Sequence, residues 1–305
     1  MQCKLFDLAA FGDGKALRFD RSIGTGGALE ARAMLRTAVF LDASNIEQSW
    51  TNWVHRLAGD YGLRETLSPW DSVFVYAGES SDDHGGIMDF GVHCYQPEKQ
   101  KGISFVKSLI SSVSSKSPQR GDEMSKALPA DFYSVLLTLW ATNSRKLIAC
   151  HLGSVIAILD DNRRYRCAFP MLGSTFHLHH TEQKEHLNWY LFALFVFQFM
   201  SCKNVITRTE EPYRPQMPRG LRNKSPKIKY HTLAISNTLV KRDGHEGTGE
   251  QPGVSKHVCR GNFAHYTEDK PLFGKYVGTF WRPMHIKGSA KHGIVGKDYT
   301  MQATD

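Results

Sequence analysis

WYLFALFVFQFM, Trp189 to Met200, sets the architecture of this chain. At 3.6 residues per turn it shows apolar side chains on nearly every side, so a helix here has no face to give to water and must lie between layers. It is too short to cross a bilayer, which takes about 20 apolar residues. The helix is expected over Glu182 to Cys202, with Thr181 as its cap. Upstream stands the clearest hairpin of the chain: Ser154 to Leu159 (SVIAIL), a turn at Asp160-Asp161-Asn162, then Arg164 to Phe169 (RYRCAF). Apolar and polar residues alternate on its second strand, as a half-buried sheet requires. A buried apolar helix on a central antiparallel sheet is an α+β arrangement.

Further strands are expected at Cys3 to Ala10, Ser72 to Ala77 (SVFVYA), Ile87 to Tyr95 (IMDFGVHCY) and Tyr230 to Ile235 (YHTLAI). Ala28 to Phe40 has helical composition, and Asp42 to Asn45 reads as the cap of a helix carrying Trp50, Trp53, Val54 and Leu57. After Pro129, the residues Phe132, Val135, Leu136, Leu139 and Trp140 predict another helix. Ser111 to Asp122, rich in Ser and Lys around a proline, reads as a mobile linker. It divides the chain into a mixed N-terminal region, residues 1–120, and an α+β domain, 121–305, whose basic, β-rich part starts at about 206.

Charge is concentrated at one end. Residues 201–305 carry 18 Lys and Arg against nine Asp and Glu, whereas the remainder carries 20 against 21. The whole net charge of +8 therefore belongs to the last third, which points to an anionic or acidic partner there. The proline-rich run from Glu210 to Lys229 is too broken for a regular helix and reads as an extended basic connector. Six scattered cysteines without a CxxC pair suit neither a zinc ribbon nor a secreted disulfide framework. With no signal-peptide pattern and no spanning segment, a cytoplasmic protein without membrane contact is expected. His177, His179 and His186, and separately Asp82, Asp83 and His84, are ligand types without a closed set, so no metal and no cofactor is expected.

The stretch from Ser255 to Gly293 interleaves cations, aromatics, histidines and glycines. Positive charge for phosphates beside π-faces for bases is what a single-stranded nucleic acid needs. The binding candidates are Lys256, Arg260, Phe263, Tyr266, Lys275, Tyr276, Arg282, His285 and Lys287. Gly261, Gly274 and Gly288, each beside a basic residue, are assigned to backbone geometry, and Trp281 to packing beneath the surface. The simpler account is a small twisted sheet with aromatic core and a solvated cationic rim.

FMSCKNV (Phe199–Val205), YHTLAI (Tyr230–Ile235), HVCRGNFAHYTEDKPLFGKYVGTFW (His257–Trp281) and HIKGS (His285–Ser289) together resemble a group of phage, prophage and plasmid proteins that includes a type V-A anti-CRISPR protein. The matching positions are Arg260-Gly261, Phe263, Phe273-Gly274-Lys275, Trp281 and Lys287-Gly288, while Asn262 stands where the group carries histidine. The resemblance covers roughly the last 150 residues. It implies a binding protein of a mobile element that represses production of a defence nuclease by engaging the nascent protein on the ribosome and triggering loss of its message. Host or CRISPR-system proteins and RNA are then the expected partners. Two other functions suit the composition. A metal-independent ribonuclease would draw its acid, base and phosphate-stabilising cation from His257, His265, His285 and Lys287. A phage structural or packaging component is the third.

Overall fold

Two long antiparallel strands, β5 (Phe132–Thr142) and β6 (Ala149–Asp160), form the spine of the protein. The computed structural model describes residues 4–12, 17–18, 33–46, 63, 67–81, 86–143, 145–146, 148–170, 180–212, 230–235, 255–259, 261–282, 285–287 and 289–294. Around the spine lie β1 (Leu17–Arg18), β2 (Val39–Asp42), β3 (Ser72–Ser81), β4 (Ile87–Tyr95), β7 (Tyr165–Pro170), β8 (Val205–Thr209) and β9 (Tyr230–Ile235). They make a nine-stranded sheet in the order β1-β6-β5-β4-β3-β2-β9-β8, with β7 also paired to β6. The run β3-β4-β5-β6-β7 is antiparallel throughout, as is β8–β9, while β2 pairs in parallel with both β3 and β9. The fold is α+β, and its sheet is antiparallel at the centre and mixed towards its edges.

Among the described residues, the helices α1 (Lys4–Phe11), α2 (Lys99–Lys116), α3 (Pro118–Ala127) and α4 (His180–Met200) lie on the sheet. Helix α4 contains the apolar stretch, and every residue from Tyr190 to Phe199 is buried. It lies on one face of the sheet, against Val73 and Val75 of β3, Val92 of β4, and Val135, Leu137 and Leu139 of β5. The opposite face is covered in two patches. Leu5, Phe6, Ala9 and Ala10 of α1 pack with Phe40, Phe74 and Trp140, while Val106, Ile110 and Val113 of α2 pack with Phe132, Ile156 and Ile158.

Three expectations fail for identifiable reasons. Cys3 to Ala10 is helix α1, whose short apolar run is buried and has the same composition a buried strand would have. Phe132 to Trp140 is strand β5, because both of its faces are covered and its apolar residues therefore run on without alternation. Ser111 to Asp122 is helical: Val106, Ile110 and Val113 form a buried stripe, Ser111, Ser112 and Ser115 face water, and Pro118 occupies the first turn of α3, where its missing N–H costs nothing. Residue 120 thus lies inside α3, and β4 pairs with β5 across it, so a single sheet includes strands from both sides of that boundary. Within 28–40, residues 33–37 are helical and Val39-Phe40 begins β2. The proposed helix through Trp50 and Leu57 lies outside the described residues.

A belt of polar groups crosses the sheet between the α1 and α2 patches. Ser72 Oγ lies 2.9 Å from His93 Nε2, His93 is in register with Thr138, and Thr138 Oγ1 lies 3.0 Å from Ser154 Oγ, itself 3.0 Å from His151 Nε2. Burial lowers the His93 pKa to about 4. An unfolded imidazole takes up its proton near pH 6.5, so between the two values the unfolded chain binds more protons than the folded one. The neutral ring therefore leaves stability intact above about pH 6.5, and stability is lost as the pH falls towards 4.

Two outcomes follow for unfolding experiments. His93→Gln flattens the acid limb of a urea-stability profile, removing a pH dependence on the order of 3 kcal/mol between about pH 6.5 and pH 4. Phe195→Ala, at the centre of α4, costs about 3–5 kcal/mol, whereas Phe105→Ala, on the exposed side of α2, stays within about 0.5 kcal/mol.

Candidate functional site

The C-terminal motif closes over the outer side of α4. Strands β11 (Asn262–Tyr266) and β12 (Gly278–Arg282) form an antiparallel ribbon in which Phe263 stands opposite Trp281. Those two rings meet edge to face at 4.9 Å, and Trp281 packs at 5.7 Å from Phe195 and 5.4 Å from Phe199. Only 2% of Trp281 is exposed, so it belongs to the core that the sheet and α4 share. A polar clasp holds the ribbon in place. Asn204 Nδ2 donates to the Trp281 carbonyl at 2.7 Å, and its Oδ1 accepts the Trp281 N–H at 2.9 Å, while the Lys203 N–H donates to the Thr279 carbonyl at 2.9 Å. Gly261 lies so close to the indole that an added Cβ would sit 2.6 Å from Trp281 Cζ2. Gly261 and Trp281 are therefore buried in the scaffold, and Phe263 packs half-buried against it.

The other face of the ribbon carries Tyr266, Phe280 and Arg282 by alternation. The exposed Arg282 guanidinium stacks over the Tyr266 ring at 5.3 Å and hydrogen-bonds its hydroxyl. His265 is exposed and touches Thr279 Oγ1 through Nδ1 at 3.1 Å. Between the strands, Leu272 and Tyr276 close a tight turn whose central residues Phe273 and Gly274 both have positive φ, 52° and 70°. Gly274 takes that conformation freely, whereas a bulky residue there is an outlier. Phe273 is nonetheless 68% exposed, with Lys275 Nζ beside it over the Tyr276 ring at 5.5 Å. The ribbon itself is nearly neutral: Lys270, Lys275 and Arg282 are set against Glu268 and Asp269.

A second small sheet joins β10 (Ser255–Cys259), β13 (His285–Lys287) and β14 (Ser289–Ile294) in the order β13-β10-β14. Its antiparallel register sets His257 opposite Lys287 and Cys259 opposite His285. Three of the four residues named for acid–base chemistry thus come together on one ladder, while His265 belongs to the other ribbon. Lys256 is on β10, and Arg260 and Gly288 lie outside the described residues. So do His177, His179 and the Asp82-Asp83-His84 cluster. Asn262 is half-buried and donates to the Phe263 carbonyl at 3.1 Å. Asn204 and Phe273 were both inside the quoted motifs without being assigned a role. The doubled hydrogen bond of the first depends on a partner 77 residues away, and the strain of the second is a backbone property.

Elsewhere, a cleft of about 580 Å³ is bounded by Asp71, Gln96, Lys99, Tyr133, Arg163 and Phe197. Its Lys99 is already paired with Asp131 at 2.6 Å and Asp161 at 2.7 Å, and these hydrogen bonds raise its pKa. Among the described residues no three His, Cys, Asp or Glu side chains gather as a metal site, and no helix is long and apolar enough to cross a membrane. No family model, curated protein or solved structure matches the chain.

The division between scaffold and contact is directly measurable. Trp281→Ala costs about 3–5 kcal/mol of stability, and Gly261→Ala about 1–3 kcal/mol through overpacking against the indole. Arg282→Ala changes the melting temperature by no more than a degree or two, since an exposed cation contributes roughly 0.5 kcal/mol or less. Thermal melts of the three variants against the parent chain check both halves.

Proposed function

We propose that this chain is a non-enzymatic binding protein of a phage or related mobile element, anti-CRISPR-like in action. It interferes with a host or defence process in the host cytoplasm through protein or RNA contacts of its basic C-terminal third. One observation carries this: the tip of the β11–β12 ribbon holds an exposed phenylalanine, Phe273, in a left-handed backbone conformation beside the Lys275–Tyr276 pair. Water-exposed aromatic surface and backbone strain both work against the free chain, and both favour a site that a partner covers. The ribbon's inner face is anchored by Trp281 and Asn204, so the tip is presented from a rigid base. Resemblance of the Phe273-Gly274-Lys275 turn to the mobile-element group supports the same reading.

The deciding experiment is affinity capture from cells actively translating a type V-A defence nuclease, with bound protein and RNA identified separately. Phe273→Ala/Tyr276→Ala is expected to lower capture of the nascent nuclease or its message at least tenfold while leaving the melting temperature unchanged. Ribonuclease treatment before elution separates the two kinds of contact. Direct RNA binding also weakens steeply between low and moderate salt, as release of condensed counterions requires. Capture of the same targets by the parent and the double variant would refute the assignment.

A further inference from the structure

We propose that β8, the open edge of the nine-stranded sheet, pairs antiparallel with β8 of a second copy of this chain, joining two sheets into one across a dimer two-fold. β8 ends the strand order, with β9 on one side, and among the described residues no strand lies on its other side. Its residues from Ile206 to Thr209 are exposed, Ile206 by 44%. Natural edges are blunted by shortness, proline, bulges or several charges. The far end of the sheet has such devices: β1 is two residues long, and β7 ends on Pro170. β8 has none of them. It reads VITRT, β-branched at every position but Arg208, regular in register and with a single charge, which is a composition that recruits another strand.

The β8–β9 ladder fixes which backbone groups are on offer. The Glu210 N–H donates to the Tyr230 carbonyl at 3.0 Å. Bonded pairs alternate in an antiparallel ladder, so Arg208–Thr232 and Ile206–Ala234 bond inward, while Thr207, Thr209 and Glu211 turn their N–H and C=O groups to the open side. The carbonyl of Leu233, opposite Thr207, agrees with this parity: it faces away from β8 and accepts from Asn45 Nδ2 at 2.7 Å. Two such edges bond only where outward residues meet outward residues. Setting Thr209 opposite Thr209 of the second copy achieves this for Thr209 and for both Thr207–Glu211 pairs. The same register puts each Arg208 opposite Glu210 of the other copy, at non-bonded positions where facing side chains lie closer together. Glu210 Oε1 accepts from Thr232 Oγ1 at 2.7 Å, which holds the carboxylate in place with Oε2 turned to a guanidinium. Pro212 then ends the paired segment. Moving the two-fold to position 208 sets the two Arg208 side chains against each other, and moving it to 207 sets Arg208 against Ile206. Charge therefore selects the arrangement centred on Thr209.

The test is analytical ultracentrifugation of the full-length chain from low micromolar concentration to about 100 µM, where a dimer is expected. Thr209→Pro removes an outward N–H without touching the bonds to β9, and is expected to give a monomer with the far-UV circular dichroism of the parent chain. Arg208→Glu places glutamate against Glu210 and is expected to raise the dimer Kd roughly tenfold or more, and Arg208→Glu/Glu210→Arg to restore it. That exchange decides even where the proline variant misfolds. A parent chain that stays monomeric at about 100 µM overturns the proposal and leaves the edge to a strand of another protein. A dimer indifferent to both Thr209→Pro and Arg208→Glu overturns it by placing the contact elsewhere. A double exchange that dimerises no more tightly than Arg208→Glu alone overturns the register and the proposal with it.

Discussion

A helix without a hydrophilic side needs cover from two directions, and that requirement governs this molecule. The sheet supplies cover for α4 through β3, β4 and β5, but a single sheet can shield only one side of a cylinder roughly 10 Å across. The rings of Phe263 and Trp281 supply part of the rest, from a ribbon that begins some 60 residues after α4 ends. Trp189, stacked 4.8 Å from Phe90, fastens the helix to the second strand of the antiparallel run. Sheet, helix and ribbon therefore form three layers of one core.

The ribbon's two sides serve different ends. Its inner side is committed to the core by an indole, a glycine with no room for a Cβ, and the asparagine clasp. Its outer side and tip hold cations against tyrosine rings and one unshielded phenylalanine. Rigidity in the first lowers the entropy that the second loses on meeting a partner. The strain at Phe273 fits this arrangement, since a firmly anchored base can hold a turn in a conformation the isolated segment would leave.

How much could be seen in the sequence depended on whether an element had one wet face. The β6–β7 hairpin, β3, β4 and β9 were legible because turn residues or alternation mark them, and α4 was legible because nothing but burial suits it. Strand β5 was not, since Phe132, Leu136 and Trp140 serve one face while Val135, Leu137 and Leu139 serve the other, and their union imitates helical spacing. Helix α2 was hidden by its own solvent side, where serine and lysine look like a linker. At the site, Trp281 and Gly274 could be assigned from residue type alone. The opposition of Cys259 and His285 could not, because register is a property of pairing between distant strands.

The placing of β9 beside β2 has a temporal consequence. Asn45, just beyond β2, donates its side-chain amide to the Leu233 carbonyl at 2.7 Å, across 188 residues of chain. At a synthesis rate of about 5–20 residues per second, roughly 10–40 s pass between the emergence of one strand and that of its neighbour. Throughout that interval the edge of β2 offers unsatisfied N–H and C=O groups, and the outer side of α4, complete at residue 200, stays without its aromatic cover until Phe263 and Trp281 have been made. High contact order of this kind makes the final collapse late and slow. The nascent chain is thus an open-edged intermediate for most of its own translation, a state whose survival depends on chaperones or on fast elongation through the last third.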